Sequence, residues 1–196
     1  MPAWPYEGEF VRVIAGAARR TVLDTPKGLS TRPTADRIKE NLFNIIAPYV
    51  PCANFLDLFC GSGAIGIEAL SRGAAEAVFV DESKYAADVT RANLARVKFE
   101  SRGKVLCMCA FKAIAQMKQE GRGFDIIFLD PPYGNGLLAR ALDALGKGSL
   151  LSPQGILVAE CAIKEPPASS DSFELFDKRE YGSTRVEFYA MKSYIQ

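Results

Sequence analysis

Between Asn54 and Ala159, apolar runs alternate with stretches of helical periodicity, and this alternation constrains the fold more than any other feature of the chain. The runs are Phe55–Phe59, Ala77–Val80, Val105–Cys109, Ile126–Leu129 and Gly155–Ala159. The helical stretches between them are Ala64–Ser71, Lys84–Val97, Phe111–Lys118 and Leu137–Leu145. Short apolar runs without alternation read as strands covered on both faces. Parallel neighbours of that kind need crossover connections, normally helices. The expected fold is therefore α/β, a Rossmann-like sheet of five parallel strands. The pattern changes after Ala159. Phe173–Lys178 and Arg185–Met191 are separated by too short a stretch, with Tyr181-Gly182-Ser183 in it, to hold a helix. They are expected to pair as a C-terminal antiparallel hairpin.

The start of the chain has a different grammar. Val11–Ile14 and Arg19–Leu23, around Gly16, predict a small β-hairpin. Lys27-Gly28 and Arg32-Pro33 mark a loop. Thr34 is placed to cap a helix carrying Asp36 in its first turn, with Ile38, Leu42, Ile45 and Ile46 on one face. Pro48 and Pro51 end it. Residues 1–9 read as a leader without the features of a signal peptide. The 196 residues fit one domain with an appendage, divided here into an extension over 1–53 and a core over 54–196.

The strand before Asp57 and the helix after Ala64 enclose the glycine turn Gly61-Ser62-Gly63-Ala64-Ile65-Gly66. Such a turn lets a ligand approach the backbone closely, and the spacing matches the dinucleotide-binding fingerprint. In open parallel sheets ligands lie beyond the C-terminal strand ends. Asp81, at the end of the second run, is placed to accept hydrogen bonds from two ribose hydroxyls. Asp57 separates two classes of ligand. A pyrophosphate would be repelled by its carboxylate, whereas the ammonium and sulfonium of S-adenosylmethionine would be attracted. A nicotinamide cofactor is opposed by Asp57 and by the terminal hairpin.

Asp130-Pro131-Pro132-Tyr133 ends the fourth run and is the most specific motif. Paired prolines stop the strand and fix the backbone. They hold a carboxylate, the Asp130 and Pro131 carbonyls and an aromatic face in one place. A planar amino group fits: its N–H donors meet acceptors while its ring stacks on Tyr133. Accepting those hydrogen bonds favours a pyramidal, nucleophilic nitrogen. No imidazole is required, and the chain has no histidine, which excludes Ser-His-Asp and Cys-His catalysis and His-ligated metals. The five cysteines contain no C-x-x-C pair, so neither a disulfide framework nor a metal site is expected. Cys161, after the fifth run, reads as a packed thiol rather than a nucleophile.

Asp57-x-Phe59-x-Gly61-x-Gly63, the acid at position 81 and Asp130–Tyr133 resemble class I S-adenosylmethionine-dependent methyltransferases acting on amino groups. Val11–Gly16, Leu29–Asn44 with its Arg32-Pro33-Thr34 block, and Gly61–Ala74 resemble the RsmD family, and the resemblance covers nearly the whole chain. It implies transfer of a methyl group to the exocyclic N2 of a guanine in small-subunit (16S) ribosomal RNA, with S-adenosylhomocysteine as product. Asp57, Phe59, Gly61, Ser62 and Gly63 are then expected around the methionine part of the cofactor. Asp81 falls at the ribose and Ala110 and Phe111 at the adenine, Ala110 through its backbone N–H, and Glu82 is a further expected cofactor contact. The family often carries Asn or Asp near Cys109-Ala110, so no side chain is assigned to the adenine here. Asp130, Pro131, Pro132 and Tyr133 would hold the flipped guanine, with Asp130 also beside the cofactor. Arg12, Arg19, Arg20, Arg32, Thr34 and Arg37 are the expected RNA contacts, although Arg32 and Arg37 are equally candidates for the cofactor carboxylate. The implied partner is 16S rRNA, within a small ribosomal subunit or its precursor. A cytoplasmic monomer, bound to no membrane and holding no metal, is expected. An adenine-N6 methyltransferase shares the Asp-Pro-Pro-Tyr motif and is the alternative reading. A non-enzymatic RNA-binding assembly factor would not need that motif intact.

Overall fold

The computed structural model describes residues 11–25, 33–134, 136–148 and 150–192. The expected leader and Arg32 lie outside the described residues. The elements are, in order, β1 (Val11–Arg12), β2 (Val22–Leu23), α1 (Pro33–Ile45), a 3-10 turn (Ala47–Tyr49), β3 (Asn54–Leu58), α2 (Ala64–Ser71), β4 (Glu76–Asp81), α3 (Lys84–Val97), β5 (Gly103–Cys107), α4 (Ala110–Gln119), β6 (Phe124–Leu129), α5 (Leu137–Gly146), β7 (Leu151–Ala162), β8 (Phe173–Tyr181) and β9 (Thr184–Met191).

Strands β3 to β7 form the parallel sheet in the order β5-β4-β3-β6-β7. The hairpin extends it antiparallel, with β9 between β7 and β8. From β3 the chain first runs outward to β4 and β5, then returns to place β6 on the other side of β3. The β3/β6 junction is therefore the topological switch point, where a crevice opens at the C-terminal strand ends.

Successive side chains alternate between the sheet's two faces. Phe55, Phe79, Ile126, Phe128, Val158 and Phe188 pack on one face with α1, α2 and α3. Leu56, Leu58, Val80, Leu129, Leu157 and Tyr189 pack on the other with α4 and α5. The hairpin and α1 contribute Val13, Leu23, Ile38, Leu42, Phe43 and Ile46 to the first core, so the N-terminal segment shares the apolar interior of the sheet.

That docking has a polar centre. Glu68 on α2 is fully buried and accepts from the backbone N–H groups of Ile14 (2.7 Å) and Ala15 (3.0 Å). Its carboxylate also pairs with Arg72 at 2.7 Å and with buried Lys39 of α1 at 3.4 Å. One turn on, Ser71 accepts from the Ala18 N–H at 2.9 Å through its hydroxyl and from the Ala17 N–H at 2.8 Å through its carbonyl. Gly16 sits over this contact at φ +81°, where an added Cβ would lie 1.8 Å from the Ser71 carbonyl oxygen. Only glycine has both the backbone freedom and the small size for that position.

Three local expectations shift. Helix α1 begins at Pro33, so Thr34 lies inside the first turn rather than at the cap, and Pro33 supplies the favoured first residue. Strand β5 ends at Cys107, where pairing with β4 stops at Asp81, and Cys109 instead precedes α4. Strand β7 starts before Gly155, at Leu151; its ladder with β6 shifts register between Phe124 and Ile126, and that irregularity accommodates Pro153.

Candidate active site

The strand ends open into a cavity of about 1060 Å³. Ligand pockets usually span roughly 300–1,000 Å³, so this one has room for a cofactor and a second group together. Of the residues singled out from sequence, Asp57, Phe59, Gly61, Ser62, Asp81, Glu82, Ala110, Phe111 and Asp130 to Tyr133 all line it.

The glycine turn is built from both sides. Phe59 takes a left-handed conformation (φ 73°), and the N–H groups of Phe59 and Cys60 both donate to the Val80 carbonyl at 2.9 Å. For a bulky residue that conformation is strained and persists only where the surroundings enforce it. Gly63, at φ +74°, precedes α2, and a Cβ there would lie 2.7 Å from Thr90. Gly63 is buried behind the cavity wall, so it shapes the turn from behind. At Gly66 a Cβ would lie 2.3 Å from the Phe79 ring, which accounts for the third glycine of the spacing. From α3, Thr90 donates to the Gly61 carbonyl (3.0 Å) and buried Asn93 to the Ser62 carbonyl (2.9 Å). Asn93 also exchanges hydrogen bonds with the Asp24 backbone, tying the turn to the N-terminal hairpin.

Asp57 is buried on β3, with one oxygen accepting from the Gly66 N–H at 2.9 Å. Burial pushes its pKa up to about 7; the Gly66 N–H opposes that rise and Asp81 adds to it. Asp81 at the tip of β4 accepts from the N–H groups of Gly61 (2.9 Å) and Ser83 (2.8 Å). Each of its oxygens keeps a further lone pair. Ala110 and Phe111 open α4, and the Arg140 guanidinium lies 4.6 Å above the Phe111 ring.

Asp130 follows β6 and faces the open cavity, so its surface is exposed although protein crowds it on the other sides. Its pKa is raised, first by that crowding, then by Glu160 and by Asp57; among the described residues no hydrogen-bond donor offsets the rise. Tyr133 is 48% exposed at the cavity and directs its hydroxyl toward Glu160 at 3.5 Å. Behind it, the Gly134 N–H donates to Glu165 at 2.7 Å, and the Glu165 carbonyl accepts from buried Arg185 at 2.8 Å.

Sequence reasoning missed several wall residues. Glu160 near the end of β7 enters the cavity beside Asp130. Asp36, Lys39 and Leu42 bring α1 to one wall, and the Tyr181–Thr184 turn forms another. Glu160 is the residue directly after the fifth apolar run, Gly155–Ala159, so it carries the same strand-end signal as Asp81 and Asp130. The expected RNA contacts Arg19, Arg20 and Arg37 are exposed, and Arg12 pairs with Asp36 at 3.0 Å. The Thr34 side chain lies outside the described residues. Cys161 is buried outside the cavity, its thiol pushed up to about 11, mainly by burial and then by Glu187.

The family described as conserved hypothetical protein 95 matches residues 11–190. The ribosomal RNA small subunit methyltransferase D of Haemophilus influenzae is 32% identical over 180 residues, spanning 91% of this chain and 93% of that protein. The chain belongs to the RsmD family. Another relative, YlbH of Bacillus subtilis, is 37% identical over 180 residues, spanning 91% of this chain and 98% of YlbH. Among solved structures, yhhF of Escherichia coli superimposes with a TM-score of 0.82 at 31% identity, covering 93% of this chain and 98% of that one. The sheet is accordingly that of class I methyltransferases.

The residues of this RsmD-family chain fit S-adenosylmethionine, the cofactor of the family. Asp57 is a buried acid around which no cation stands among the described residues. A ligand carrying an ammonium and a sulfonium supplies the missing charge. Asp81 offers acceptors to vicinal hydroxyls, and Ala110 with Phe111 offers an apolar wall to a purine. Among the described residues no three His, Cys, Asp or Glu side chains cluster as a metal site, and no helix is long and apolar enough to cross a membrane.

Proposed function

We propose that this chain methylates the exocyclic N2 of a guanine in small-subunit (16S) ribosomal RNA. The observation that carries the reading is Asp130-Pro131-Pro132-Tyr133 at the switch point, in one cavity with the buried acid Asp57 and the ribose-type acid Asp81. S-adenosylmethionine, when bound, supplies an activated methyl group on a sulfonium. Asp57 attracts the positively charged methionine end, and Asp81 receives the ribose hydroxyls. Asp130 and the Pro131 carbonyl accept hydrogen bonds from the two N–H groups of the amino group and favour a pyramidal nitrogen. The new N–C bond replaces the S–C bond, S-adenosylhomocysteine leaves, and one amino proton passes to the Asp130 carboxylate or to solvent. Tyr133 stacks on the base. A base in folded RNA is splayed out of its stack to reach such a pocket. Catalysis then comes from alignment and fixed acceptors.

In this reading residues 1–53 form an RNA-contacting extension on a core of residues 54–196. Arg12, Arg19, Arg20 and Arg37 meet phosphates, and Arg32 and Thr34 belong to the same block. The enzyme acts as a cytoplasmic monomer on the small subunit or its precursor. The deciding experiment transfers labelled methyl groups to unmodified small-subunit particles and to bare RNA, with the product mapped. Label at a guanine N2 supports the reading; label elsewhere, or none on either substrate, overturns it.

Two binding predictions follow from the cofactor side. Asp81→Ala is expected to weaken cofactor affinity by roughly 10- to 100-fold, the range for hydrogen bonds to a charged group. Calorimetry with S-adenosylhomocysteine checks it, and an unchanged Kd removes Asp81 from the ribose. The second concerns pH. The Asp57 carboxyl ionises near 7 in the free protein against 3.8 ordinarily, so the folded state holds its proton more tightly than the unfolded chain. The stability this confers is complete below the unfolded value and is lost as pH rises through 7. Binding a cationic ligand requires the ionised form. Affinity is therefore expected to fall as pH is lowered from 8 to 6, with protons released on binding. Asp57→Asn is expected to flatten that profile; a wild-type affinity independent of pH would argue against this role.

A further inference from the structure

We propose that Glu160 reads the N1–H of the target base and is the residue that selects guanine over adenine. The inference rests on the guanine-N2 reading of the cavity and names the device that makes it specific.

The Asp-Pro-Pro-Tyr motif does not discriminate by itself. A carboxylate and a carbonyl accept the hydrogens of an amino group equally well on guanine N2 or adenine N6. The two bases differ at the neighbouring position. Guanine carries a donor, N1–H, beside its amino group, whereas adenine carries a bare N1 acceptor. A second acceptor next to Asp130 therefore pairs with guanine and faces a lone pair on adenine.

Glu160 stands at that place. Strands β6 and β7 run parallel with Leu129 opposite Ala159, so Asp130 and Glu160 are the next residues on adjacent strands. Neighbouring strands lie about 4.8 Å apart, and both side chains line the cavity. The Tyr133 hydroxyl, from the ring assigned to stack on the base, approaches Glu160 at 3.5 Å. No cation offsets the burial of Glu160 among the described residues. Arg185, on the neighbouring strand β9, instead directs its donors to Glu187 and to the carbonyls of Ile163 and Glu165. Burial raises the Glu160 pKa and the Tyr133 hydroxyl opposes that rise. In the ionised form, which a guanine N1–H also favours, the carboxylate accepts and cannot donate. It thus rewards one base and penalises the other, the two halves of specificity.

The test compares guanine with 2-aminopurine at the mapped position of the RNA. 2-Aminopurine keeps the N2 amino group, replaces N1–H by an acceptor and lacks O6, so the change in preference between wild type and Glu160→Gln is what isolates N1. Wild type is expected to prefer guanine in kcat/KM by roughly 10- to 100-fold, the span of one well-made base contact. Glu160→Gln presents an amide that also donates, and is expected to shrink this preference at least tenfold with the Kd for S-adenosylhomocysteine unchanged. Should Glu160→Gln fail to fold, Glu160→Asp carries the test: it keeps the acceptor and is expected to keep the preference at lower kcat, and losing the preference overturns the proposal. An unchanged preference in Glu160→Gln, or none in wild type, overturns the role of Glu160 alone. A wild-type product at adenine N6 overturns the guanine reading itself.

Discussion

Asp130→Ala is expected to lower kcat for methyl transfer by roughly 100- to 1,000-fold, the cost of deleting one fixed hydrogen-bonding partner of a transition state. The cofactor Kd should change little. In the proposed reading the two effects separate because Asp130 meets the amino group of the base, whereas Asp57, Asp81 and the glycine turn hold the cofactor. The side chain faces the open cavity, so its removal leaves no void in either core. It also relieves a crowd of three acids, since Glu160 and Asp57 both raise the Asp130 pKa. The folded protein should therefore be at least as stable as wild type. Single-turnover transfer to RNA, calorimetry with S-adenosylhomocysteine and a denaturation curve test the three statements. A variant with near wild-type kcat would remove Asp130 from the reaction. One that lost cofactor binding equally would make it part of the cofactor seat.

Glu68→Ala is expected to destabilise the fold by about 3–5 kcal/mol, the cost of breaking a buried ion pair from one side. The carboxylate is fully buried and serves four groups: two backbone N–H donors of the hairpin, Arg72 and Lys39. Arg72, partly exposed, retains access to water. Lys39, at the cavity wall, is buried, and burial already lowers its pKa against the pull of Glu68 and Asp36. Without Glu68 the lysine keeps only the Arg12 carbonyl and the pull of Asp36, and the N–H groups of Ile14 and Ala15 lose their acceptor. A double variant, Glu68→Leu with Lys39→Met, should recover part of the loss by removing both charges. Denaturant midpoints with unchanged slopes provide the comparison. A loss under 1 kcal/mol in the single variant would mean that the hairpin is held by its apolar contacts alone.

Residues that act near one another in sequence were legible; those that act across strands were not. Helices α2 and α3 fall on their expected bounds because each has local signals, a glycine before Ala64 and a capping Ser83 whose hydroxyl accepts from the Ala86 N–H. Asp57 and Asp81 announce themselves by their distance from the glycine turn. Glu160 has only its place at a strand end: its meaning depends on the Leu129–Ala159 register, set by pairing between strands separated by helix α5. The same holds for Lys39 and Glu68, which meet only once α1 lies over α2. Strand β7 reaches back to Leu151, beyond the expected run from Gly155, because the sheet absorbs Pro153 in a register shift. Its antiparallel neighbour β9 is likewise a product of assembly. The sequence pattern announces a hairpin but not that its second strand, rather than its first, joins the parallel sheet.

That last arrangement bears on synthesis. A growing chain completes β8 before β9, yet β8 ends on the outer edge and β9 is the strand that pairs with β7. Until Thr184–Met191 leaves the ribosome, β7 presents an apolar edge, Leu157-Val158-Ala159, with no partner on that side. Open edges of this kind invite pairing with other chains. Strand β9 thus closes this side of β7 and, through the turn at Tyr181–Thr184, completes the cavity wall. Nascent chains stalled before residue 184 should be the aggregation-prone species, and the cavity should form only once Thr184–Met191 has joined the sheet.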